Sequence, residues 1–127
     1  MGSERRKLVR FRVHSPIYAS LGENFDRVGK VKDISMRGIA FEYTSSDHDS
    51  MTETTQVDIL SLDEDIHLSR VPCAVAYEYD LRKHDTLRQL GRFLVTRRCG
   101  VKFGDFTETQ RAQFERLIAR QTSGPLH

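Results

Sequence analysis

Three arginines near the N-terminus have the chemistry to bind a phosphate or a guanine base. They belong to the basic run Arg5-Arg6-Lys7-Leu8-Val9-Arg10, which has no strong helix or strand pattern of its own. A guanidinium group donates two parallel hydrogen bonds to phosphate oxygens or to the O6 and N7 atoms of guanine, and it can stack on a purine face. Since Arg6 and Arg10 are four residues apart, they could hold one ligand at two points. The alternative interpretation of this run is a solvated basic tail.

A second polar segment, Asp33-Ile34-Ser35-Met36-Arg37-Gly38, has the residue types of a tight turn. Asp and Ser side chains bond to nearby backbone N–H groups in turns, and a glycine can adopt a positive φ or let a ligand approach closely. In a binding site, Asp33 could accept hydrogen bonds from the N1 and N2 edge of guanine or orient an arginine, while Ser35 could donate to a phosphate. The alternative interpretation is a plain hairpin turn.

The rest of the sequence predicts short strands followed by one helix. Runs of β-branched and aromatic residues separated by turn residues predict strands at 17–21, 27–34, 37–43, 56–60, 67–79 and 91–103. The charged segment 80–90 could be a hairpin loop or a short helix. A capping-box pattern at 107–110 and apolar residues at helical spacing predict a helix over about 108–120.

Five or six strands with one terminal helix favour an antiparallel β-barrel, because a closed barrel leaves no exposed strand edge. The 127 residues fit a single domain. We divide the chain into a flexible N-terminal segment at 1–13, a barrel with its helix at 14–120 and a disordered tail at 121–127.

The order and spacing of the two polar segments resemble the PilZ domain family. Members of that family carry Arg-x-x-x-Arg near the start of a small β domain and Asp/Asn-x-Ser-x-x-Gly about two dozen residues later. Both motifs are matched in full here, by Arg6–Arg10 and by Asp33–Gly38. The resemblance extends over about 4–120, since the segment 98–103 followed by a helix is similar to the end of that domain. The commonest pattern differs at Val9, where many members have proline, and at Arg37, where many have a small residue.

The resemblance implies a mainly β fold, a six-stranded antiparallel barrel with a C-terminal α-helix, that binds the bacterial second messenger cyclic di-GMP. In such a domain the arginine segment closes over the ligand, so Arg6 and Arg10 would meet guanine and phosphate. The other side of the ligand would be held by Asp33, Ser35 and Gly38.

The resemblance also implies a stoichiometry and a role. In similar proteins an arginine directly before the first motif arginine accompanies an intercalated pair of ligand molecules, so Arg5 implies two cyclic di-GMP molecules per domain. The implied role is a receptor that relays the ligand to a partner protein. The alternative is an interaction adaptor of the same fold that does not respond to nucleotide.

Composition and motifs argue against other classes of protein. No apolar run is long enough to span a membrane, and we expect a cytoplasmic protein without membrane insertion. A net charge of +2 does not indicate a nucleic-acid binder, which needs an extended basic surface. Cys73 and Cys99 lack metal-ligand spacing and are expected to be buried thiols. No nucleophile or zinc-protease motif occurs, so neither an enzyme activity nor a bound metal or cofactor is expected.

Overall fold

The computed structural model describes residues 11–13, 16–22, 27–45, 54–83 and 95–125. They form the strands β1 (Phe11–Val13), β2 (Ile17–Leu21), β3 (Arg27–Ser35), β4 (Gly38–Ser45), β5 (Thr54–Ser61), β6 (Ile66–Lys83), β7 (Val95–Phe103) and β8 (Thr122–Pro125), with the helix α1 (Glu108–Gln121) between β7 and β8. Asp33, Ser35 and Gly38 therefore lie within the described residues. The predicted ligand-binding arginines Arg5, Arg6 and Arg10 lie outside them.

Six strands form a closed antiparallel barrel in the order β2, β5, β6, β7, β4 and β3, and β3 pairs with β2 to complete the ring. The predicted six-stranded antiparallel barrel with a C-terminal helix is confirmed. Each barrel strand has a hydrogen-bonded neighbour on both sides, so the strand edges that would otherwise attract other chains are paired.

Alternation along the strands fills the barrel with apolar side chains. In β2 the side chains of Ile17, Ala19 and Leu21 are buried, whereas Tyr18 between them is exposed. Other fully buried side chains of the core are Ile34, Phe41, Val57, Ile59, Ile66, Leu68 and Val71. A slip of one residue in any of these strands would turn its apolar set towards solvent, so the pattern specifies the register.

The two ends of the chain differ from our prediction. We predict a flexible segment over 1–13 and a disordered tail over 121–127, but β1 pairs antiparallel with β3 and β8 pairs antiparallel with β1. The reason is the length of β3, because β2 pairs only with its residues 27–30 and leaves the backbone groups near Asp33 open on that side. β1 occupies this edge, and β8 covers the outer edge of β1.

The segment 80–90 also differs from our prediction where the structure describes it. Residues 80–83 continue β6 rather than forming a loop or a short helix, and residues 84–90 lie outside the described part of the chain. Charged residues can extend this strand because Asp80 lies opposite Arg97 on β7, with 2.9 Å between the carboxylate and Nε. Of the predicted strand 91–103, β7 contains Val95–Phe103.

The helix α1 begins at the predicted capping box. The backbone N–H of Gln110 donates to Thr107 Oγ1 at 3.1 Å, and the backbone N–H of Thr107 donates to Gln110 Oε1 at 2.9 Å. Phe114 is fully buried and packs edge-on against Phe103, with 5.0 Å between ring centroids. In the described part of the chain no helix is long and apolar enough to cross a membrane.

We expect Phe114→Ala to lower the free energy of unfolding by about 3–5 kcal/mol, because it removes a buried ring and leaves a cavity between helix and barrel. Chemical denaturation followed by circular dichroism measures this change. Ala119, which is exposed on the same helix, provides the control Ala119→Ser, with an expected effect of at most about 0.5 kcal/mol. Equal effects of the two substitutions would show that the helix does not pack as described.

Both cysteines are buried free thiols, as expected. Burial raises the pKa of the Cys73 thiol to about 11 and that of Cys99 to about 12, because an apolar interior disfavours the thiolate. At pH 8 we expect the folded protein to react with Ellman's reagent roughly 100-fold more slowly than the chain unfolded in guanidinium chloride, since reaction requires local opening. A thiol that reacts equally fast in both states would contradict this burial.

Candidate ligand-binding site

A pocket of about 520 Å³ lies beside the turn that joins β3 and β4. Strands β3, β4, β6 and β7 all contribute to it. Its walls and floor are formed by Asp33, Ser35, Arg37, Gly38, Ile39, Ala40, Ala76, Tyr77, Gly100, Val101 and Lys102. The three predicted ligand-binding residues of the turn are thus brought together in one pocket.

Strand register explains how residues distant in sequence meet there. Arg12 of β1 is paired with Asp33, Asp33 with Ala40, Ala40 with Gly100, and Gly100 with Tyr77. These pairs form one row across five strands. Between Asp33 and Tyr77 the row contains only the small residues Ala40 and Gly100, so it is low there and higher at Asp33 and Tyr77.

A β-bulge in β3 turns Asp33 towards this pocket. Val31 pairs with Phe41 and Asp33 with Ala40, so two steps along β3 match a single step along β4. If β3 were a regular strand through Lys32, strict alternation would place Asp33 on the same face as the buried Val31. Because of the bulge, Ile34 enters the core instead and the carboxylate faces the pocket.

A second bulge lies in β6 at the other end of the row. Val75 pairs with Val101 and Tyr77 with Gly100, so Ala76 is the extra residue. The bulge places Tyr77 on the pocket side, where it is 41% exposed, and turns the following Glu78 towards the interior.

The inward Glu78 is held by polar partners. Its carboxylate accepts hydrogen bonds from the Tyr43 hydroxyl and from Nε of Arg27, the latter at 3.1 Å. Burial, together with the hydrogen bond to Glu78, raises the pKa of Tyr43, so the phenol stays protonated and donates. The bulge that exposes Tyr77 therefore leaves the buried Glu78 carboxylate with hydrogen-bond partners.

Asp33 forms an ion pair with Arg98 of β7. The two side chains are only 11% and 23% exposed, and 2.6 Å separates Asp33 Oδ2 from Arg98 Nη2. Arg98 Nη1 also donates to Glu42 at 3.3 Å. Burial lowers the pKa of Arg98, but a hydrogen bond with Tyr77 and the charge of Asp33 outweigh this effect and raise it. Arg98 thus stays cationic and orients the carboxylate beside the pocket.

Ser35 and Gly38 build the turn itself. The Ser35 hydroxyl accepts hydrogen bonds from the backbone N–H groups of Arg37 and Gly38 at 3.2 and 3.3 Å. Gly38 does not have a positive φ. A side chain there would overlap the carbonyl of Val101, so glycine is required by the close approach of β7.

Several pocket residues were not identified from the sequence. Tyr77, Gly100 and Lys102 line the pocket from β6 and β7, and no short motif connects them with the turn. Arg98 does not line the pocket but forms the ion pair with Asp33 beside it. Arg37 and Lys102 are exposed and add positive charge near Ser35. The described residues contain no group of three or more His, Cys, Asp and Glu side chains that could hold a metal ion.

The family model described as PilZ domain matches residues 4–120. The chain belongs to the PilZ domain family. No curated protein sequence matches it. Its fold is similar to that of the PilZ domain of YcgR from Escherichia coli, solved with c-di-GMP, with a TM-score of 0.67, 14% identity, and 92% of this chain and 91% of that chain covered.

Two longer PilZ proteins have the same fold in part. The complex of Escherichia coli YcgR with c-di-GMP has a TM-score of 0.62 at 13% identity, covering 91% of this chain and 45% of that chain. MrkH of K. pneumonia in its apo state has a TM-score of 0.61 at 13% identity, covering 88% and 47%. This chain spans about half the length of these two proteins.

The ion pair at the pocket is testable by a double-mutant cycle with Asp33→Asn and Arg98→Gln. We expect a coupling free energy of about 1–2 kcal/mol in urea unfolding, because the pair is more buried than a typical surface salt bridge. The pair Arg120 and Glu64, separated by 4.0 Å with Arg120 66% exposed, serves as the control, with a coupling of at most about 0.5 kcal/mol. Additive effects of the two pocket substitutions would contradict the ion pair.

Proposed function

We propose that this PilZ domain is a cytoplasmic receptor for cyclic di-GMP, which it binds in the pocket beside the Asp33–Gly38 turn and relays to a partner protein. The observation that carries the proposal is the row from β1 to β6, because it joins the motif turn, the strand that follows the arginine segment and an open pocket. Membership of the family and the c-di-GMP in the YcgR structures support the choice of ligand.

The turn supplies the preformed side of the proposed site. Asp33 would accept from the N1 and N2 edge of a guanine while Arg98 holds its carboxylate in orientation. The Ser35 hydroxyl, now bonded within the turn, could redirect its proton to a phosphate oxygen. Gly38 contributes by letting β7 lie close and by leaving the pocket open above the turn.

The arginines supply the other side in this proposal. The N-terminal end of β1 is at Phe11, which is paired with Ile34, one residue from Asp33 and one from Ser35. Arg10 is joined to Phe11 directly, and Arg6 is five residues from it, a reach of at most about 18 Å. Both guanidinium groups can therefore reach a nucleotide in the pocket without any change in the barrel.

Two ligand molecules per domain and a relay to a partner complete the proposal. Arg5 adjoins Arg6 and would contact the second, intercalated molecule. Closure of a basic segment over a dianionic ligand would create the surface that the partner recognises. The proposed role is binding and not turnover.

Isothermal titration with cyclic di-GMP tests this function. We expect binding of about two molecules per chain and a loss of about 10-fold or more in affinity for Arg6→Ala, Arg10→Ala and Asp33→Ala, since each removes a charge-assisted hydrogen bond. Arg116→Ala, an exposed arginine on α1, is the matched control and should bind like the parent.

The opposite result would favour a nucleotide-independent adaptor. Asp33 and Ser35 both form hydrogen bonds within the barrel, so both could serve a purely structural role in such an adaptor. The receptor proposal would be overturned by a folded sample that shows no binding heat at about 50 μM cyclic di-GMP, a concentration well above the dissociation constant expected of a signalling receptor. Unchanged ligand after long incubation, measured by chromatography, is the expected result for a protein without catalysis.

A further inference from the structure

Four exposed apolar side chains lie together on the outer surface of the barrel, away from the pocket. Tyr18 of β2 is paired with Leu60 of β5, and the two are 39% and 37% exposed. Leu62 follows Leu60 by two residues and is 70% exposed, and Val28 of β3, which is 55% exposed, is paired with Ser20 of β2. We call the surface formed by Tyr18, Val28, Leu60 and Leu62 the β2–β5 face. A group of large exposed apolar side chains on one face is typical of an interaction surface.

The β2–β5 face and the pocket lie on opposite sides of the barrel. Neither β2 nor β5 contributes a residue to the pocket. In the ring of six strands, β2 stands opposite β7 and β5 stands opposite β4, and β7 and β4 carry Gly100 and Ala40 of the pocket floor. A molecule that packs on the β2–β5 face therefore leaves the pocket accessible.

A partner of this face must pack against its side chains. β2 and β5 each have a hydrogen-bonded strand on both sides, so neither of them can accept an additional strand. Two sheets that pack face to face instead interdigitate their side chains at a separation of about 10 Å. The outer face of another barrel is a surface of this kind.

The flank of the face on the β3 side is basic. Lys30 is the cross-strand neighbour of Tyr18, and Lys32 follows it on the same strand. Both lysines are exposed. Neither forms an ion pair with another residue that the structure describes.

The flank on the β6 side is acidic. Asp63 and Asp65 are exposed in the turn that joins β5 and β6. The backbone N–H of Asp65 donates to the carbonyl of Leu62 at 3.4 Å, so this carboxylate lies beside the apolar part of the face. In the described ranges of the chain neither aspartate has an ion-pair partner. The face is therefore apolar in the middle, with charges of opposite sign on its two sides.

Such a charge pattern is complementary to a second copy of itself. If the two-fold axis runs along the strands, between β2 and β5, the β3 side of each copy lies over the β6 side of its partner. Tyr18 then lies over Leu60 of the other copy, and the lysine flank lies over the aspartate flank. An axis across the strands would instead place like charges over each other, which is unfavourable.

We propose that the β2–β5 face is the interface of a symmetric dimer of this chain, with the two-fold axis along the strands and both pockets facing outwards. This inference goes beyond the proposed function and does not depend on a ligand. The face spans four strands, about 4.8 Å apart, and about five residues of each, so it measures roughly 19 by 17 Å. Two copies would bury on the order of 1,000 Å² in total, the low end for specific interfaces, so the dimer is weak and reversible.

Sedimentation equilibrium of the full chain without nucleotide tests the proposal. Over about 5–500 μM protein we expect a monomer–dimer equilibrium with a dissociation constant of roughly 10–100 μM, as for a small interface. A protein that stays monomeric over this whole range would overturn the inference.

An exposed leucine on each side of the barrel gives a matched pair of variants. Leu60→Glu places a charge at the centre of the interface and should weaken the dimer by about 10-fold or more. Leu81, which is 43% exposed on β6 and lies outside both the face and the pocket, provides the control Leu81→Glu, expected to dimerise like the parent. Equal effects of the two substitutions would show that dimers form through another surface. Thermal melts establish that each variant is folded.

Exchanging the charges of the flanks tests the direction of the axis. Lys30→Glu with Lys32→Glu makes both flanks acidic, and Asp63→Lys with Asp65→Asn makes both basic; asparagine suits position 65, where φ is 52°. Each double variant alone should dimerise less than the parent, because like charges then meet, and an equimolar mixture should form heterodimers. Homodimers as stable as those of the parent, or a mixture that stays monomeric, would contradict the proposed arrangement.

These results are independent of the receptor proposal. A chain that dimerises through the β2–β5 face but does not bind cyclic di-GMP would refute only the proposed function. A chain that binds cyclic di-GMP and remains monomeric would refute only the dimer.

Discussion

The pocket depends on the bulge between Val31 and Asp33. In an ordinary antiparallel strand, alternate residues face the core. Val31 and Ile34 of β3 are both buried although they are three positions apart, so regular alternation would place them on opposite faces. Only an extra residue lets both enter the barrel. The same distortion turns Asp33 outwards, beside Arg98 and the floor at Ala40, so core packing and site geometry have one cause.

The bulge in β6 has the matching role at the far side of the pocket. It exposes Tyr77 and sends Glu78 inwards, where Tyr43 and Arg27 satisfy its charge. Burying a carboxylate costs free energy unless it is paired. The hydrogen bonds of Glu78 therefore help to make possible the bulge that exposes Tyr77. The two bulges flank a floor of small residues, which keeps the site open without enlarging the barrel.

The ends of the chain are connected through the same region. β1 adds to the edge of β3 next to Asp33, and β8, which follows α1, adds to β1. β1 is therefore linked by backbone hydrogen bonds both to the edge of β3 beside the pocket and to the C-terminal strand. In the proposed receptor, the pairings of β3 with β1 and of β1 with β8 would connect the ligand site to a second surface at β8.

The sequence by itself determined the barrel, the helix and the motif turn. Alternation at residues such as Ile17 and Leu21 and the capping box at Thr107 act over a few neighbouring residues, so local pattern was enough to predict their elements. The spacing of Asp33, Ser35 and Gly38 likewise identified a turn that lines the pocket, while Arg5, Arg6 and Arg10 remain predictions.

Only the tertiary structure decided which other residues share that pocket. Gly100 and Tyr77 join Asp33 in the pocket, and Arg98 pairs with Asp33 beside it, through pairings of β3 with β4, β4 with β7 and β7 with β6, which bring together residues far apart in sequence. The bulges at Lys32 and Ala76 reverse the side of the sheet on which the following residues lie, against the simple alternation that the sequence suggests. β1 and β8 likewise form because an open strand edge is available, and that edge exists only in the folded barrel.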